Sequence, residues 1–190
     1  MEEFTISAGV LHELLTGASA SAANAKEYRV HLACVQLAVV NGVVTVAGTQ
    51  GTKLAVGDYV LPDNLGIEFI TLWHVSDIKN VLPWLKSLKG APVVVSPSLL
   101  KSAESVIGLT PQTMGYPNVM AVIPNEFPTP SGDTMPSFIV DPSLLADMAK
   151  IPNTAKRVEI RFNHVKHASL AEWANDSGVS WRYVFMRKFA

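Results

Sequence analysis

Cysteine is almost absent from this chain of 190 residues: Cys34 stands alone, so no intrachain disulfide can form and a reducing compartment is expected. Cys34 lies in an apolar, strand-like stretch, which predicts a packing residue rather than a nucleophile. Charge is scarce too. Charged residues make up 16% of the chain and the formal net charge is -1, so there is no global basic field to draw it onto nucleic acid, and any DNA contact must use a local basic surface. No apolar run approaches the roughly 18 residues of a membrane span. The start, Met1-Glu2-Glu3-Phe4-Thr5-Ile6, has neither the basic opening nor the apolar core of a secretory signal. A cytoplasmic location without membrane association is the expectation. What is present is a 48% hydrophobic composition, enough for a buried core in one generous domain or two small ones.

Read for period, the chain repeats a short strand, an amphipathic helix and further strands. Phe4-Thr5-Ile6 reads as a strand, and Ser7 as the N-cap of a helix whose Val10, Leu11, Leu14 and Leu15 share one apolar face. Residues 28–40 read as a strand, Asn41-Gly42 as a tight turn, Val43-Val44-Thr45-Val46 as the returning partner, and 54–61 as the next strand. A second copy opens with a strand at 67–71. Its helix carries Val75, Ile78, Leu82, Leu85 and Leu88 at helical spacing, with Pro83 predicting a kink or a late start. Gly90 is a natural stop, Val93-Val94-Val95 a strand, and Val106-Ile107 the best strand centre in the less regular stretch 96–115. Five prolines and glycines at Pro124, Pro128, Pro130, Gly132 and Pro136 mark a linker. A third copy then begins with Phe138-Ile139-Val140 as a strand and Asp141-Pro142 as N-cap and first helical residue. Leu144, Leu145 and Met148 form its apolar face, and Pro152 ends the helix. Val158, Ile160 and Phe162 alternate with Glu159 and Arg161, and 179–189 is a final aromatic strand. Helices separated by whole groups of strands predict an α+β fold with mainly antiparallel sheet.

Thr49-Gln50-Gly51-Thr52-Lys53-Leu54-Ala55, Tyr116-Pro117-Asn118 with Val122-Ile123-Pro124, and Tyr183-Val184-Phe185-Met186 are three motifs that in this order resemble the bacterial DNA polymerase sliding clamp family. The stretch from Val43 through Thr49-Gln50-Gly51-Thr52-Lys53-Leu54-Ala55 is similar to a clamp strand leading into Thr-Asp-Gly-His-Arg-Leu-Ala. Tyr116-Pro117-Asn118 and Val122-Ile123-Pro124 resemble the clamp's Phe-Pro-Asp-Tyr and Val-Leu-Pro. Tyr183-Val184-Phe185-Met186-Arg187-Lys188-Phe189 is similar to the clamp's closing Tyr-Val-Val-Met-Pro-Met-Arg. The resemblance implies a DNA-clamp-like fold of repeated strand-helix-three-strand units: a complete domain over 1–124, a linker over 125–136 and a half-domain over 137–190. It equally implies a shortened chain, as in a phage-encoded or divergent relative. A ring of four chains would match the twelve half-domains of a family ring, while a monomer or small open oligomer is equally compatible.

The same resemblance implies a pocket for a short peptide of a polymerase or repair protein, carried over onto Thr49, Gly51, Lys53, Leu54, Pro124, Val184 and Met186. Aliphatic and methionine walls suit a hydrophobic anchor, with loop backbone to orient it. Leu54, Val184 and Met186 can equally be plain core residues. For duplex DNA, Lys79 and Lys86 are seven residues apart and share a helix face, with Lys89 just beyond. Lys150, Lys156 and Arg157 cluster at and after the third helix. Such groups can touch phosphates without reading sequence, or simply be solvated and complement helix dipoles. The first helix offers His12, Thr16 and Ser19 on its polar side.

Enzymatic readings find little support. His164 and His167 are spaced for a shared metal only on a helix, whereas the segment reads as a turn. Residues 48–53 do not match a phosphate loop, acidic residues are scattered, and no nucleophile with its base can be assembled. No catalytic residue, metal or cofactor is implied. The expectation is a non-enzymatic processivity factor that tethers a polymerase or repair protein to DNA. The alternatives are a clamp-derived module that recruits or inhibits replication proteins without encircling DNA, and a structural protein of similar sheet architecture.

Overall fold

Ser7 ends one element and begins the next. In the computed structural model, which describes residues 2–63, 66–127, 140–163 and 168–186, strand β1 (Phe4–Ser7) runs directly into helix α1 (Ala8–Ser21). The Ser7 hydroxyl accepts from the Gly9 amide at 3.3 Å and donates to the Gly90 carbonyl at 3.2 Å, satisfying an orphan helix donor and fixing where the helix starts. Three strands follow: β2 (Cys34–Val40), β3 (Val43–Thr49) and β4 (Lys53–Val60). Asn41 and Gly42 turn β2 into β3 with φ of 51° and 75°, the left-handed pair that a two-residue hairpin requires.

The pattern then recurs as β5 (Phe69–His74), α2 (Val75–Ser87), β6 (Pro92–Ser96), β7 (Leu99–Lys101) and β8 (Val106–Gly108). A third round gives α3 (Pro142–Met148), β9 (Glu159–Asn163), β10 (Ala168–Ala174) and β11 (Ser180–Met186). Asp141 caps α3, accepting from the Ser143 amide at 3.0 Å.

All pairings between these strands are antiparallel, in two sheets of order β1-β6-β7-β8 and β5-β2-β3-β4-β11-β10-β9. The fold is α+β, as the alternation of helices with strand groups requires. The first two rounds exchange their leading strands: β1 pairs with β6 and β5 with β2. Strand alternation divides the long sheet into two faces. Ala55, Trp181, Tyr183 and Phe185 join the main core with α1 and α2, whereas Leu54, Val56, Leu170 and Val184 form a smaller apolar cluster opposite.

Glycine sets how closely α1 lies on the sheet. A Cβ at Gly48 would stand 2.0 Å from the Ala18 carbonyl oxygen, and one at Gly17 would stand 2.2 Å from the Trp181 ring. Bare backbone therefore gives both the helix and the indole their seats.

Several local readings differ from the sequence pattern. The stretch 28–40 is extended only from Cys34, because Val30–Ala33 forms a 3-10 turn closed by the Cys34 thiol donating to the Val30 carbonyl at 3.3 Å. Pro83 neither delays nor ends α2; it sits exposed inside a helix that starts at Val75. Strands β7 and β10 escape the pattern altogether. The expected strand Phe138-Ile139-Val140 lies outside the described residues except for Val140, as do His164 and His167, the linker from 128 onward, and 187–190. Among the described residues, no helix is long and apolar enough to cross a membrane.

Candidate peptide-docking site

The β3–β4 turn is built from hydroxyl chemistry. The Thr49 hydroxyl donates to the Lys53 carbonyl at 2.7 Å and accepts from the Gly51 amide at 3.1 Å, and Gly51 adopts φ of 102°, a conformation that favours glycine. This fixed turn meets the end of β11, where the Met186 amide donates to the Thr52 carbonyl at 3.0 Å. Leu54 and Val184 are register partners across β4 and β11 and form an apolar floor.

The opposite wall comes from the segment after β8. Tyr116 anchors it, its hydroxyl donating to the Ala47 carbonyl at 3.2 Å. Burial raises the Tyr116 phenol well above its ordinary value, the Cys34 side chain adding to this, so it remains a neutral donor. Asn118 then caps a 3-10 turn, Val119–Val122, by accepting from the Ala121 amide at 3.3 Å. Floor and wall enclose a cleft of about 250 Å³, lined by Leu32, Thr49, Gly51, Thr52, Lys53, Leu54, Pro117, Asn118, Val119, Val122, Val184 and Met186. Val122 and Met186 are exposed at its rim.

Thr49, Gly51, Leu54, Val184 and Met186 therefore come together around one cleft. Lys53 contributes wall only. Its neighbour Leu54 faces the cleft, so alternation along β4 sends the Lys53 ammonium to the other side of the sheet. There it donates to the Ala20 carbonyl at 2.9 Å and to Asp147 Oδ2 at 2.5 Å. Pro124 is buried and stands outside the lining, where Val122 forms the wall instead. Sequence reasoning left out Leu32, Thr52, Pro117, Asn118, Val119 and Val122. For Pro117 and Asn118 a signal existed, the Tyr116-Pro117-Asn118 motif itself.

The basic candidates divide into two groups. Lys79, Lys86 and Lys89 lie on or just after α2, and Lys150, Lys156 and Arg157 after α3, all exposed. Lys150 donates to Asp147 Oδ1 at 2.6 Å, so its charge is partly neutralised. On α1, which has no lysine or arginine, burial holds the His12 imidazole below its ordinary value, the Lys86 ammonium lowers it further and Glu13 partly offsets both. Cys34 is fully buried, and burial, with Asp77 nearby, pushes its thiol up to about 11. It is a protonated packing group at neutral pH. Among the described residues, no three His, Cys, Asp or Glu side chains gather as a metal site.

No protein-family profile matches the chain, and no curated protein matches it. Solved structures do. The DNA polymerase sliding clamp of Pseudomonas aeruginosa superposes with a TM-score of 0.82 at 13% identity, over 99% of this chain and 67% of that one. The DNA polymerase III beta subunit of Thermotoga maritima gives 0.80 at 15% identity, over 100% and 66%. The Bacillus subtilis DNA polymerase sliding clamp gives 0.79 at 11%, over 99% and 64%. The chain has the sliding-clamp fold and spans about two thirds of the length of these clamps.

Proposed function

We propose that this protein is a non-catalytic, clamp-like docking factor that binds a short peptide of a DNA polymerase or repair protein and holds that partner on duplex DNA. The observation that carries the reading is the cleft between the β3–β4 turn and the end of β11. Its floor is aliphatic, its rim carries an exposed methionine and valine, and its polar groups are uncharged, a combination suited to hydrophobic peptide anchors. The fold shared with sliding clamps supports the DNA part of the proposal, and the proposal includes a division into a complete clamp-type domain over 1–124 and a half-domain over 137–190.

The test is a displayed library of short peptides carrying leucine and phenylalanine anchors, panned against the intact chain. Met186→Glu combined with Leu54→Ala is expected to weaken the selected peptides at least about 30-fold, the effect of losing about 2 kcal/mol. Circular dichroism checks that the variant is folded. Undiminished peptide binding by a folded variant would remove the cleft from the proposal.

A second reading, a peptide-binding module that does not encircle DNA, is favoured by the sparse basic equipment of the helices: α1 has no lysine or arginine and Lys150 is already paired. Retention on closed circular DNA with release from linear ends supports the first reading. Peptide binding with no DNA dependence supports the second.

A further inference from the structure

The chain fills the two faces of its long sheet unequally. On the inner face Leu37, Val39, Val44 and Phe69 join α1 and α2 in the main core. On the outer face Tyr116, Val119, Ile123 and Phe127 pack with Leu54, Val56, Leu170 and Val184. The rest of that outer face, over β5, β2, β3 and the far end of β4, stays open. Leu37, Val39, Val44, Tyr59 and Phe69 all point inward, so alternation turns Ala38, Val40, Val43, Val60 and Ile70 outward.

A water-facing antiparallel sheet normally turns polar residues to solvent. Here Val40, Val60 and Ile70 are 43%, 70% and 64% exposed, with Ala38 and Val43 half-buried among them. Beside Ile70 the face deepens into a groove of about 410 Å³, whose lining includes Gln36, Leu72, Pro111 and Met114 and no charged side chain. Exposed aliphatic residues shared by four neighbouring strands mark a surface that a partner covers.

Charge narrows the choice of partner. Strands β2, β3 and β5 have no lysine or arginine, and the Lys53 ammonium of β4 lies on the other side of the sheet. Asp58 accepts from the Thr45 hydroxyl at 2.7 Å and is paired with Arg182. Glu68 is exposed and turned outward, between the inward Ile67 and Phe69, and exposed Asp63 follows the end of β4. The open face is therefore aliphatic with an acidic margin. Its size suits a helix, since Ile70 and Val60 stand three strands apart, about 15 Å at the usual interstrand spacing, or about three helical turns.

We propose that this face docks an amphipathic helix of a partner protein, laid across the strands with aliphatic residues on Ile70, Val40 and Val60 and lysine or arginine beside Glu68. The peptide cleft lies at the opposite ends of β3 and β4, at Thr49 and Leu54. The two surfaces are separate, so failure of this inference leaves the docking reading standing.

The test is a displayed library of helical peptides with leucine at every third or fourth position and lysine or glutamate beside it, panned against the intact chain. Ile70→Asn combined with Val60→Thr removes the apolar anchors at side chains that are already exposed, and circular dichroism confirms that this variant is folded. The selected helices should carry lysine in preference to glutamate and lose at least about 10-fold in affinity on that variant. They should bind the variant with Met186→Glu and Leu54→Ala as well as the parent chain, and Glu68→Lys should shift their charge preference toward glutamate. A library that yields no binder, binders rich in glutamate, or binders indifferent to the change at Ile70 and Val60 would overturn the proposal. So would light scattering that shows two copies of the chain held together through Ile70 and Val60, which would make the occupant a second copy.

Discussion

Lys53 is the residue whose position says most about how the parts are joined. Its ammonium is buried beneath the sheet, bonded to the Ala20 carbonyl at the C-terminal end of α1 and to Asp147 on α3. It therefore ties three elements together, with a cation at the end of α1 that favours one. Burial alone would raise the Asp147 carboxyl; the Lys150 and Lys53 ammonium groups together outweigh it and hold the carboxyl below its ordinary value. The unfolded chain consequently binds the Asp147 proton more readily than the folded one. The resulting stabilisation is present above the ordinary carboxylate range and is lost as pH falls through the depressed folded value. Lys53→Met should cost about 1–2 kcal/mol at neutral pH, because it leaves the partly buried Asp147 carboxylate to Lys150 alone and takes the donor from the Ala20 carbonyl. The cost should shrink near pH 3, and Asp147→Asn should flatten that part of the acid limb. Urea denaturation at the two pH values measures this. A cost under about 0.5 kcal/mol at both would place the pair among surface bridges of little consequence.

At the scale of elements, α1 and α2 bring His12 and Lys86 together on adjacent helices, and that makes a reporter for DNA. His12 is neutral at pH 7, because burial first and Lys86 second hold it below its ordinary value. Phosphates laid against this face would favour the imidazolium. A short duplex should therefore raise the His12 titration followed by NMR, and duplex affinity should rise as pH falls through it. Lys86→Gln should also raise it, but only in part, since burial remains. A His12 titration unmoved by a duplex that does bind would place the DNA elsewhere. Elements of this kind were legible where the signal is local: the Ser7 and Asp141 caps, the Asn41-Gly42 turn and the apolar face of α2 all follow from short spacings. Strand β10 was not, because Ala168-Ser169-Leu170-Ala171 has neither alternation nor β-branched residues, its place being set by β9 and β11 on either side. Nor could the β4–β11 pairing, which creates the cleft, be read from pattern, since it joins strands more than a hundred residues apart. The reversed direction of Lys53 was available all along. Adjacent residues of a strand cannot share a face, so Leu54 in the cleft already sends Lys53 away from it.

For the molecule as a whole, charge decides what kind of DNA contact is possible. The net charge is -1, so distant parts of the surface give no attraction, and the proposed DNA contact draws on the exposed groups at Lys79, Lys86, Lys89, Lys156 and Arg157, with Lys150 contributing less because it is bound to Asp147. Each phosphate neutralised releases counterions and steepens the fall of affinity with salt by about 0.9 in the logarithmic slope. A protein that slides needs this sequence-independent term and no base contacts. Affinities for duplexes of unrelated sequence should therefore agree, and all should weaken with salt along one line. Replacing Lys86 with Gln should lower the slope by about 0.9 for each copy whose α2 faces the duplex, while Lys150→Gln should change it less. Fluorescence anisotropy over a salt series reads all of these. A slope indifferent to Lys79, Lys86 and Lys89 together would mean that α2 does not face DNA, and would favour the peptide-binding module over the clamp.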